Sequence, residues 1–374
     1  MTDPSQFSSP SQFSPPPQNA NAAPGPRGPG NPNVAQPRRE LRRIGLWGAP
    51  ESGKTTFLAA LQVAVLRNPD DWMLYGVNEE SNDFLDTQTG LLTQHRRFPA
   101  ATKFSNALSW TLRGTTTLPT GRRFGRKSQD VPLEFNIDLL DSPGAVFASK
   151  AAPEGPAPSG GDNLGFGDET EETGSAEIGE DQIIEHLAGC DGIVYLFDPT
   201  RERRQGDSYS YFQRTLLKLS RQVFRDRGSA DARLPQHLAV CVTKFDAPEV
   251  YRRARVGGYL TYDDTPQMLP RVREDSAGHF FAEMCRDSKV GNADLVLSSI
   301  QKYFHPDRVR YFATSAVGFY LGESDRFTEN DYWNISKSAD GTMEIRGKVW
   351  PINVVEPVLW LGRRLPGGAN GVAR

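Results

Sequence analysis

The chain has 374 residues, enough for one large domain or two smaller ones with a sizeable hydrophobic core. Its 43 lysines and arginines against 46 aspartates and glutamates leave a net charge of −3. This balance excludes the strongly basic proteins whose overall charge attracts nucleic acid, so no nucleic-acid partner is expected. Three cysteines without a C-x-x-C pair argue against a disulfide framework and favour a reducing, cytoplasmic compartment.

The two ends of the chain differ in composition from its centre. Residues 1–37 are rich in Pro, Ser, Gln, Asn and Gly, and such a segment buries too little apolar surface to offset the entropy of ordering. We therefore predict a disordered tail there and a second one in the glycine-rich residues 365–374. The N-terminus lacks the basic and then apolar order of a secretory signal, so none is expected. The apolar stretch 352–361 is about half the length that spans a bilayer and contains Glu356, so no transmembrane segment is expected.

The first predicted strand, 44–47, is followed directly by a glycine-bounded loop. The sequence GAPESGKT at 48–55 matches G-x-x-x-x-G-K-[ST] at every fixed position, and an apolar helical pattern then runs to about Arg67. Between a strand and a helix, the N–H groups of such a loop form a cradle for phosphates, Lys54 adds a positive charge, and the Thr55 hydroxyl is a ligand for Mg²⁺. We predict a nucleotide-binding protein rather than a plain glycine turn, and the predicted binding residues are Gly48, Glu51, Ser52, Gly53, Lys54, Thr55 and Thr56.

A helix and a hairpin are predicted next. The helix covers 79–93, and a partly alternating strand follows at 104–112. The polar, glycine-containing stretch 114–130 is typical of a long hairpin tip. Its partner strand, 131–140, ends in Asp141-Ser142-Pro143-Gly144.

The next segment, 151–182, contains nine acidic residues and no lysine or arginine, which predicts a disordered acidic insertion inside the domain. Beyond it, strands alternate with helices again. The predicted elements are a strand at 192–197, a helix at 208–227, a strand at 238–242 ending in Thr243-Lys244-Phe245-Asp246, an irregular insertion at 247–275, helices at 276–286 and 292–304, a strand at 309–313 ending in Thr314-Ser315-Ala316, a loop-like stretch at 318–350 and a closing helix at 353–364.

This alternation predicts a single α/β domain over residues 38–364 with a largely parallel sheet. Each motif follows the carboxyl end of a predicted strand, and in an open α/β sheet that edge is where ligands bind.

In this order, the motifs at 48–55, 141–144, 243–246 and 314–316 resemble the guanine-nucleotide-binding boxes of the Ras-like, translation-factor-related P-loop GTPase superfamily. The resemblance covers about 43–364. It implies the P-loop NTPase fold, with helices on both faces of a mostly parallel sheet, and GTP or GDP with Mg²⁺ as ligands. The long insertions are more similar to those of large bacterial GTPases from multi-gene regulatory or conflict systems.

The resemblance also implies roles for single residues. Asp141 would hold Mg²⁺ through water, and the Gly144 N–H would contact the γ-phosphate. Thr243-Lys244-Phe245-Asp246 is similar to the N-K-x-D box with Thr in place of Asn. There Asp246 would accept hydrogen bonds from guanine N1–H and the 2-amino group, and Lys244 would stack along the base. Ser315 and Ala316 would present their backbone to the base oxygen.

The switch threonine is the least constrained assignment. Thr102, which precedes the strand at 104–112, is preferred over Thr115, Thr116 and Thr117, which lie beyond that strand. In the family this threonine closes over Mg²⁺ and the γ-phosphate. The predicted catalytic residues are therefore Lys54, Thr102 and Gly144, and the predicted metal ligands are Thr55, Thr102 and Asp141. The five histidines are scattered and indicate no metal-ligand cluster.

Ala145 occupies the position where many family members carry a water-orienting glutamine, so we expect a slow GTPase that depends on an activating partner or on another residue. Arg96 and Arg97 are candidates for a positive charge supplied in cis, with solvated loop arginines as the alternative. The expected function is a switch that signals to regulatory or effector proteins. Two alternatives remain open: a P-loop kinase with a lid formed by Arg122, Arg123, Arg126 and Lys127, and a scaffold that binds nucleotide without turnover.

Overall fold

The computed structural model describes residues 41–68, 70–100, 106–120, 127–141, 180–227 and 233–365. The predicted N-terminal tail, nearly all of the predicted C-terminal tail and most of the predicted acidic insertion lie outside these ranges. Within them, no helix is long and apolar enough to cross a bilayer.

The described chain alternates between strands and helices. The strands are β1 Arg42–Gly48, β2 Met73–Gly76, β3 Asn106–Thr120, β4 Lys127–Asp141, β5 Gly192–Phe197, β6 His237–Val242, β7 Leu260–Tyr262, β8 Pro270–Val272, β9 Val309–Ala313, β10 Ile335–Lys337 and β11 Met343–Ile345. The α-helices are α1 Lys54–Arg67, α2 Glu79–Thr93, α3 Glu180–Ala188, α4 Pro199–Gln205, α5 Ser208–Arg227, α6 Pro248–Val256, α7 Ala277–Arg286, α8 Ala293–Tyr303 and α9 Val355–Arg364.

The central sheet has seven strands in the order β2-β3-β4-β1-β5-β6-β9. β1 pairs in parallel with both β4 and β5, and the parallel pairing continues from β5 to β6 and from β6 to β9. Within this sheet, the β2–β3 and β3–β4 pairs are antiparallel. The parallel strands therefore bring the ends of β1, β4, β5, β6 and β9 to one edge of the sheet.

Helices cover both faces of this sheet. Successive residues of a strand point to opposite sides, so each buried strand contributes side chains to two hydrophobic clusters. In β5, Ile193 and Tyr195 belong to a hydrophobic cluster that includes side chains of α5, α7 and α8. Val194 and Leu196 belong to a second cluster, which includes side chains of α1 and α9. The predicted α/β fold, a mostly parallel sheet with helices on both faces, is confirmed.

The hairpin of β3 and β4 is longer than predicted. Residues 114–130 were expected to form its tip, yet β3 continues to Thr120 and β4 begins at Lys127. Gly114 lies inside β3 because the ring of Trp72 packs against it, and a Cβ there would be 2.4 Å from Trp72 Cε3. Pro132 is tolerated because β1 reaches β4 only from Phe135 onward, so Pro132 withholds no hydrogen bond from β1.

Several other predictions were wrong in part. Residues 247–275, expected to be irregular, contain α6 and the β7–β8 pair, and residues 318–350 contain the β10–β11 hairpin. The acidic insertion was placed at 151–182, but α3 already begins at Glu180, whose carboxylate accepts from Arg214 at 2.7 Å. β2 and α4 were not predicted. All these elements are short, and tertiary contacts rather than a long periodic pattern define them.

Candidate functional site

The loop between β1 and α1 has the backbone geometry of an anion cradle. Glu51 and Gly53 both adopt left-handed conformations, with φ values of 60° and 93°, and this turns the chain sharply into the first turn of α1. Gly48 is required at the end of β1, because a Cβ there would lie 2.5 Å from Ser52 Oγ and 2.8 Å from the Leu196 carbonyl oxygen. The N–H groups at the start of a helix are unpaired and positively polarised, so this loop favours an anion.

Two side chains of the loop take part in this geometry. Lys54 Nζ donates to the carbonyl oxygens of Gly48 and Ala49 at 3.3 and 3.4 Å, so the ammonium lies against the loop. The Ser52 hydroxyl is buried and has no hydrogen-bond partner among the described residues. A buried polar atom without a partner is costly, and a bound ligand can supply the missing hydrogen bond.

Asp141 is the last residue of β4, beside this loop. Gly45 of β1 is paired with Asp138 of β4 in the parallel ladder. Gly48 and Asp141 each lie three residues further along, so the two strands end side by side at the same edge of the sheet. The two other predicted residues of this region, Thr102 and Gly144, lie outside the described residues, as do Arg122, Arg123 and Arg126 of the alternative lid.

The segment after β6 forms a tight turn at the same edge. Lys244 has a left-handed conformation with φ of 55°, and its Nζ lies 2.5 Å from Oδ2 of the buried Asp198. The other oxygen of Asp198 accepts hydrogen bonds from the backbone N–H groups of Thr200 and Arg201 and thereby caps the N-terminus of α4. The ammonium end of Lys244 is therefore held in place at the edge of the cavity.

Asp246 is the most informative residue of this turn. Its side chain is buried, with 2% exposed, and Oδ1 accepts a 2.5 Å hydrogen bond from the Ser315 hydroxyl. Ser315 Oγ in turn accepts from the Gly318 N–H at 2.8 Å, which orients the hydroxyl. Oδ2 of Asp246 is buried and has no hydrogen-bond partner among the described residues. The structure thus brings together two motifs that lie 69 residues apart.

Burial also changes the acidity of this group. Desolvation raises the pKa of Asp246 from its usual 3.8 to about 6, against the opposing effects of the Ser315 hydrogen bond and the positive charge of Lys244. Ionisation of a buried carboxylate costs free energy, and any hydrogen-bond donor that reaches Oδ2 stabilises the ionised form.

Ten of the predicted residues line one cavity with a volume of about 770 Å³, within the range of small-molecule sites, whereas Gly48, Asp141 and Ser315 are not part of its described lining. Phosphate-loop residues form one part of its lining, and residues after β6 and β9 form another. The described lining residues are Pro50, Glu51, Ser52, Gly53, Lys54, Thr55, Thr56, Phe57, Phe98, Pro99, Ala100, Thr200, Arg204, Thr243, Lys244, Asp246, Ala247, Glu249, Thr314, Ala316, Val317, Trp333, Ile335 and Met343.

Part of this lining was not predicted. Thr200 and Arg204 come from α4, whose capping signal Asp198-Pro199 is present in the sequence although no helix was predicted there. Phe98, Trp333, Ile335 and Met343 come from segments without a recognisable motif. By contrast, Arg96 and Arg97 do not belong to the described lining. Arg96 donates to the Arg346 carbonyl oxygen, and Arg97 forms a β-bridge with Glu344.

A second cluster of polar groups lies away from this cavity, between β4 and α3. Asp138, His186 and Cys190 each offer an atom within 4.8 Å of the others, which the scattered histidines of the sequence did not indicate. The guanidinium of Arg43 already occupies this cluster: its Nε donates to Asp138 Oδ2 at 2.6 Å, and Nη2 lies 3.3 Å from His186 Nδ1. The positive charge beside Asp138 is therefore supplied by the protein itself.

Comparison with known proteins adds little to this geometry. No protein-family model and no curated protein matches the chain. Among solved structures, it is similar to the signal recognition particle receptor SRb-GTP/SRX complex from Chaetomium thermophilum, with 11% identity, 74% of this chain and 92% of that chain covered, and a TM-score of 0.31. It is also similar to sup35 complexed with GDP, with 11% identity, coverage of 74% and 37%, and a TM-score of 0.27.

A third similar structure is the bacterial selenocysteine-specific elongation factor EF-Sec, with 12% identity, 74% of this chain and 26% of that chain covered, and a TM-score of 0.25. This chain thus spans about a third of sup35 and a quarter of EF-Sec. TM-scores this low carry no argument, so the assignment of the fold rests on the strand order and pairing described above.

Proposed function

We propose that the protein is a Mg²⁺-dependent GTP-binding switch with slow GTPase activity. The observation that carries the proposal is the position of Asp246. A buried carboxylate with one oxygen unpartnered among the described residues lines the same cavity as the phosphate loop 48–55. One ligand that carries phosphates at one end and paired N–H donors at the other satisfies both parts of this cavity.

Guanine provides such donors at N1–H and the 2-amino group, and both reach a single carboxylate. Adenine presents an acceptor at N1 and a hydrogen at C2, so with ATP the carboxylate of Asp246 remains desolvated and unpaired. An unpaired buried charge costs several kcal/mol, which corresponds to a preference for GTP over ATP of about a hundredfold or more. The backbone at Ala316, which also lines the cavity, would meet the guanine oxygen.

The phosphates would lie in the loop cradle against Lys54, where Glu51, Ser52, Gly53 and Thr56 surround them. Mg²⁺ prefers oxygen ligands, and Thr55 presents a hydroxyl at the start of α1 while Asp141 ends the adjacent strand. Thr102 and Gly144 would meet the γ-phosphate, order their segments in the GTP state and release them after hydrolysis. Regulatory or effector proteins would read this difference.

The proposal of slow hydrolysis rests on the side chains near the phosphates. Among the described residues that line the cavity there is no glutamine or histidine to orient an attacking water molecule. In addition, Ala145 stands directly after the Asp141–Gly144 motif. Without such a group, hydrolysis depends on a partner or on residues outside the described part of the chain.

Competition binding tests this proposal. Purified protein with Mg²⁺ is titrated with GTP, ATP and XTP against a fluorescent guanine nucleotide, and the nucleotide released on denaturation is identified by chromatography. We expect guanine nucleotide in the purified protein and an affinity for GTP at least about a hundredfold above that for ATP. Equal affinities for the two would contradict guanine recognition and favour a general NTPase or a kinase.

A second measurement separates the remaining alternatives. Phosphate release is followed with and without small phosphate acceptors. Slow release that is independent of an acceptor supports the GTPase. Release that requires an acceptor supports a kinase, and GTP that stays intact over hours supports a non-hydrolysing scaffold.

A further inference from the structure

We propose that Trp333 is a base-stacking residue of this cavity and that it holds the nucleotide base from the side opposite Lys244. The inference rests on the proposed function, because it assumes that the ligand is a nucleotide. It adds a contact from the chain beyond residue 316, a region to which no nucleotide-binding motif had been assigned.

The first observation is an apolar wall, which we define as Phe98, Trp333, Ile335 and Met343. All four residues line the same cavity as the phosphate loop and Asp246. Trp333 and Met343 are 38% and 41% exposed although both are large apolar side chains. Exposed apolar surface that faces a cavity with polar groups elsewhere is typical of a ligand-binding surface.

The second observation is that the backbone at Trp333 is rigidly anchored. The next residue, Asn334, is fully buried. Its Nδ2 donates to the carbonyl oxygens of Val317 and Lys348, both at 3.1 Å, and its Oδ1 accepts from the Gly347 N–H at 2.8 Å. A buried amide with these three hydrogen bonds fixes the position of the chain, so Trp333 starts from a defined point at the cavity.

A third observation fixes Trp333 from its other side. Arg346 Nη1 donates to the Trp333 carbonyl oxygen at 2.9 Å. The same guanidinium binds both carboxylate oxygens of Asp331, at 2.6 and 2.9 Å, and lies over the ring of Tyr320. Bidentate arginine–carboxylate pairs have a defined geometry, so this contact holds the chain at 331–333 to Arg346, the residue that follows β11.

This anchor connects Trp333 with the residue that is proposed to read the base. The carbonyl oxygen of Val317 accepts a hydrogen bond from Asn334. Val317 lies two residues after Ser315, the hydrogen-bond partner of Asp246. The chain at Trp333 and the carboxylate of Asp246 are therefore both bonded to the short segment 315–317 after β9. When Asp246 binds the edge of a base, the two flat faces of that base remain available for contacts with other side chains. Lys244 and the apolar wall both line this cavity, so the base would lie between the Lys244 alkyl chain and the wall.

The chemistry of the ligand is consistent with this arrangement. Every nucleobase has a flat π-face, and stacking on an aromatic side chain stabilises binding without regard to the groups on the edge of the base. Asp246 and Trp333 therefore have separable roles. Asp246 discriminates between bases, whereas Trp333 adds affinity for any base that enters the site.

Three substitutions test the proposal in the full chain. Trp333→Ala removes the ring, Trp333→Phe retains a smaller one, and Tyr75→Ala is the matched control, because Tyr75 is 40% exposed on β2 and does not belong to the described cavity lining. We expect Trp333→Ala to lower the affinities for GTP and ATP by the same factor, about tenfold to a hundredfold, and to leave the ratio of the two affinities unchanged. Trp333→Phe should lose less affinity than Trp333→Ala, and Tyr75→Ala should retain the wild-type affinity.

A spectroscopic readout is independent of these affinities. A guanine stacked on an indole quenches its fluorescence, so the quenching seen when GTP saturates the wild type should be reduced in Trp333→Phe at equal saturation. If Trp333→Ala does not fold, Trp333→Leu retains apolar volume without a ring and should show the same loss of affinity.

The outcomes separate this inference from the proposed function. Wild-type affinity for GTP in folded Trp333→Ala would overturn the stacking role and leave the GTP-binding proposal intact. Equal binding of ATP and GTP by the wild type, with both lost alike in Trp333→Ala, would support stacking and overturn guanine recognition. A change in the ratio of GTP to ATP affinity in Trp333→Ala would contradict the division of roles. Absence of nucleotide binding in the wild type would overturn both proposals.

Discussion

The Ser315 hydroxyl donates to one oxygen of Asp246 at 2.5 Å, while the other oxygen of the same buried carboxylate has no partner among the described residues. This arrangement holds the carboxylate in a single orientation and leaves one side of it open to a ligand. Holding a charged group in place before the ligand arrives reduces the entropy lost on binding. The pair therefore links the segments after β6 and β9 to each other.

Replacement of Asp246 by Asn should change the base that the site prefers. The new amide can donate a hydrogen bond to the C2 oxygen of xanthine. Asp246→Asn should therefore lower the affinity for GTP by about a hundredfold and raise the affinity for XTP relative to that for GTP. Competition binding with the two nucleotides measures both changes. Asp294→Asn, an exposed substitution on α8, is the control and should alter neither affinity. Retention of full GTP preference by Asp246→Asn would show that this carboxylate does not face the base.

Binding of GTP should depend on pH through the same carboxylate. Because burial raises the pKa of Asp246 to about 6, the group takes up a proton below that pH and loses its ability to accept two hydrogen bonds. The affinity for GTP relative to ATP should therefore fall by up to about tenfold per pH unit below about pH 6 and stay constant above it. The phosphates of both nucleotides titrate alike, so the ratio isolates the contribution of the carboxylate.

A variant of the neighbouring hydroxyl sharpens this test. The hydrogen bond from Ser315 lowers the pKa of Asp246, so Ser315→Ala should move the midpoint of the pH profile upward. A GTP to ATP ratio that does not vary between about pH 5 and pH 7 would contradict the assignment of the profile to Asp246.

Removal of the lysine charge should weaken phosphate binding. Lys54→Ala deletes the ammonium that lies against the carbonyl oxygens of Gly48 and Ala49 and leaves the loop backbone in place. The expected loss is a few kcal/mol, the range for a charged hydrogen bond in a desolvated site. Calorimetry with GDP and GTP measures it, with the exposed Lys302→Ala as control. Unchanged affinity in a folded Lys54→Ala variant would exclude the loop as the phosphate site.

Deletion of the acidic insertion should leave nucleotide binding largely intact if the deletion ends before α3. Replacing residues 151–179 by a short Gly/Ser linker removes a segment with little apolar surface, and loop-closure cost depends only weakly on length. Extending the deletion to residue 182 also removes Glu180, which accepts from Arg214 at 2.7 Å and pairs with Lys218 at 2.8 Å. The longer deletion should therefore have the lower melting temperature. If the shorter one abolishes binding, the segment forms part of the site.

The sequence by itself determined the features that depend on neighbouring residues. The phosphate loop is contiguous from Gly48 to Thr55, so its pattern, its glycines and the start of α1 were all predictable. The bounds of α2 at Glu79 and Thr93 were also predicted, and in the structure Asn78 caps this helix locally. The buried strands of the parallel sheet were recognisable from their apolar runs.

Only the tertiary structure decided what depends on residues far apart in the chain. The length of the β3–β4 hairpin follows from cross-strand pairing and from the packing of Trp72 on Gly114, neither of which a local pattern reveals. The partnership of Asp246 with Ser315 spans 69 residues, and the apolar wall combines Phe98 with a hairpin more than 230 residues later. Burial and the missing partner of a carboxylate oxygen are properties of the packed chain. For this reason the motif predicted which residue would read a base, while the fold determined how that residue is held and what faces it.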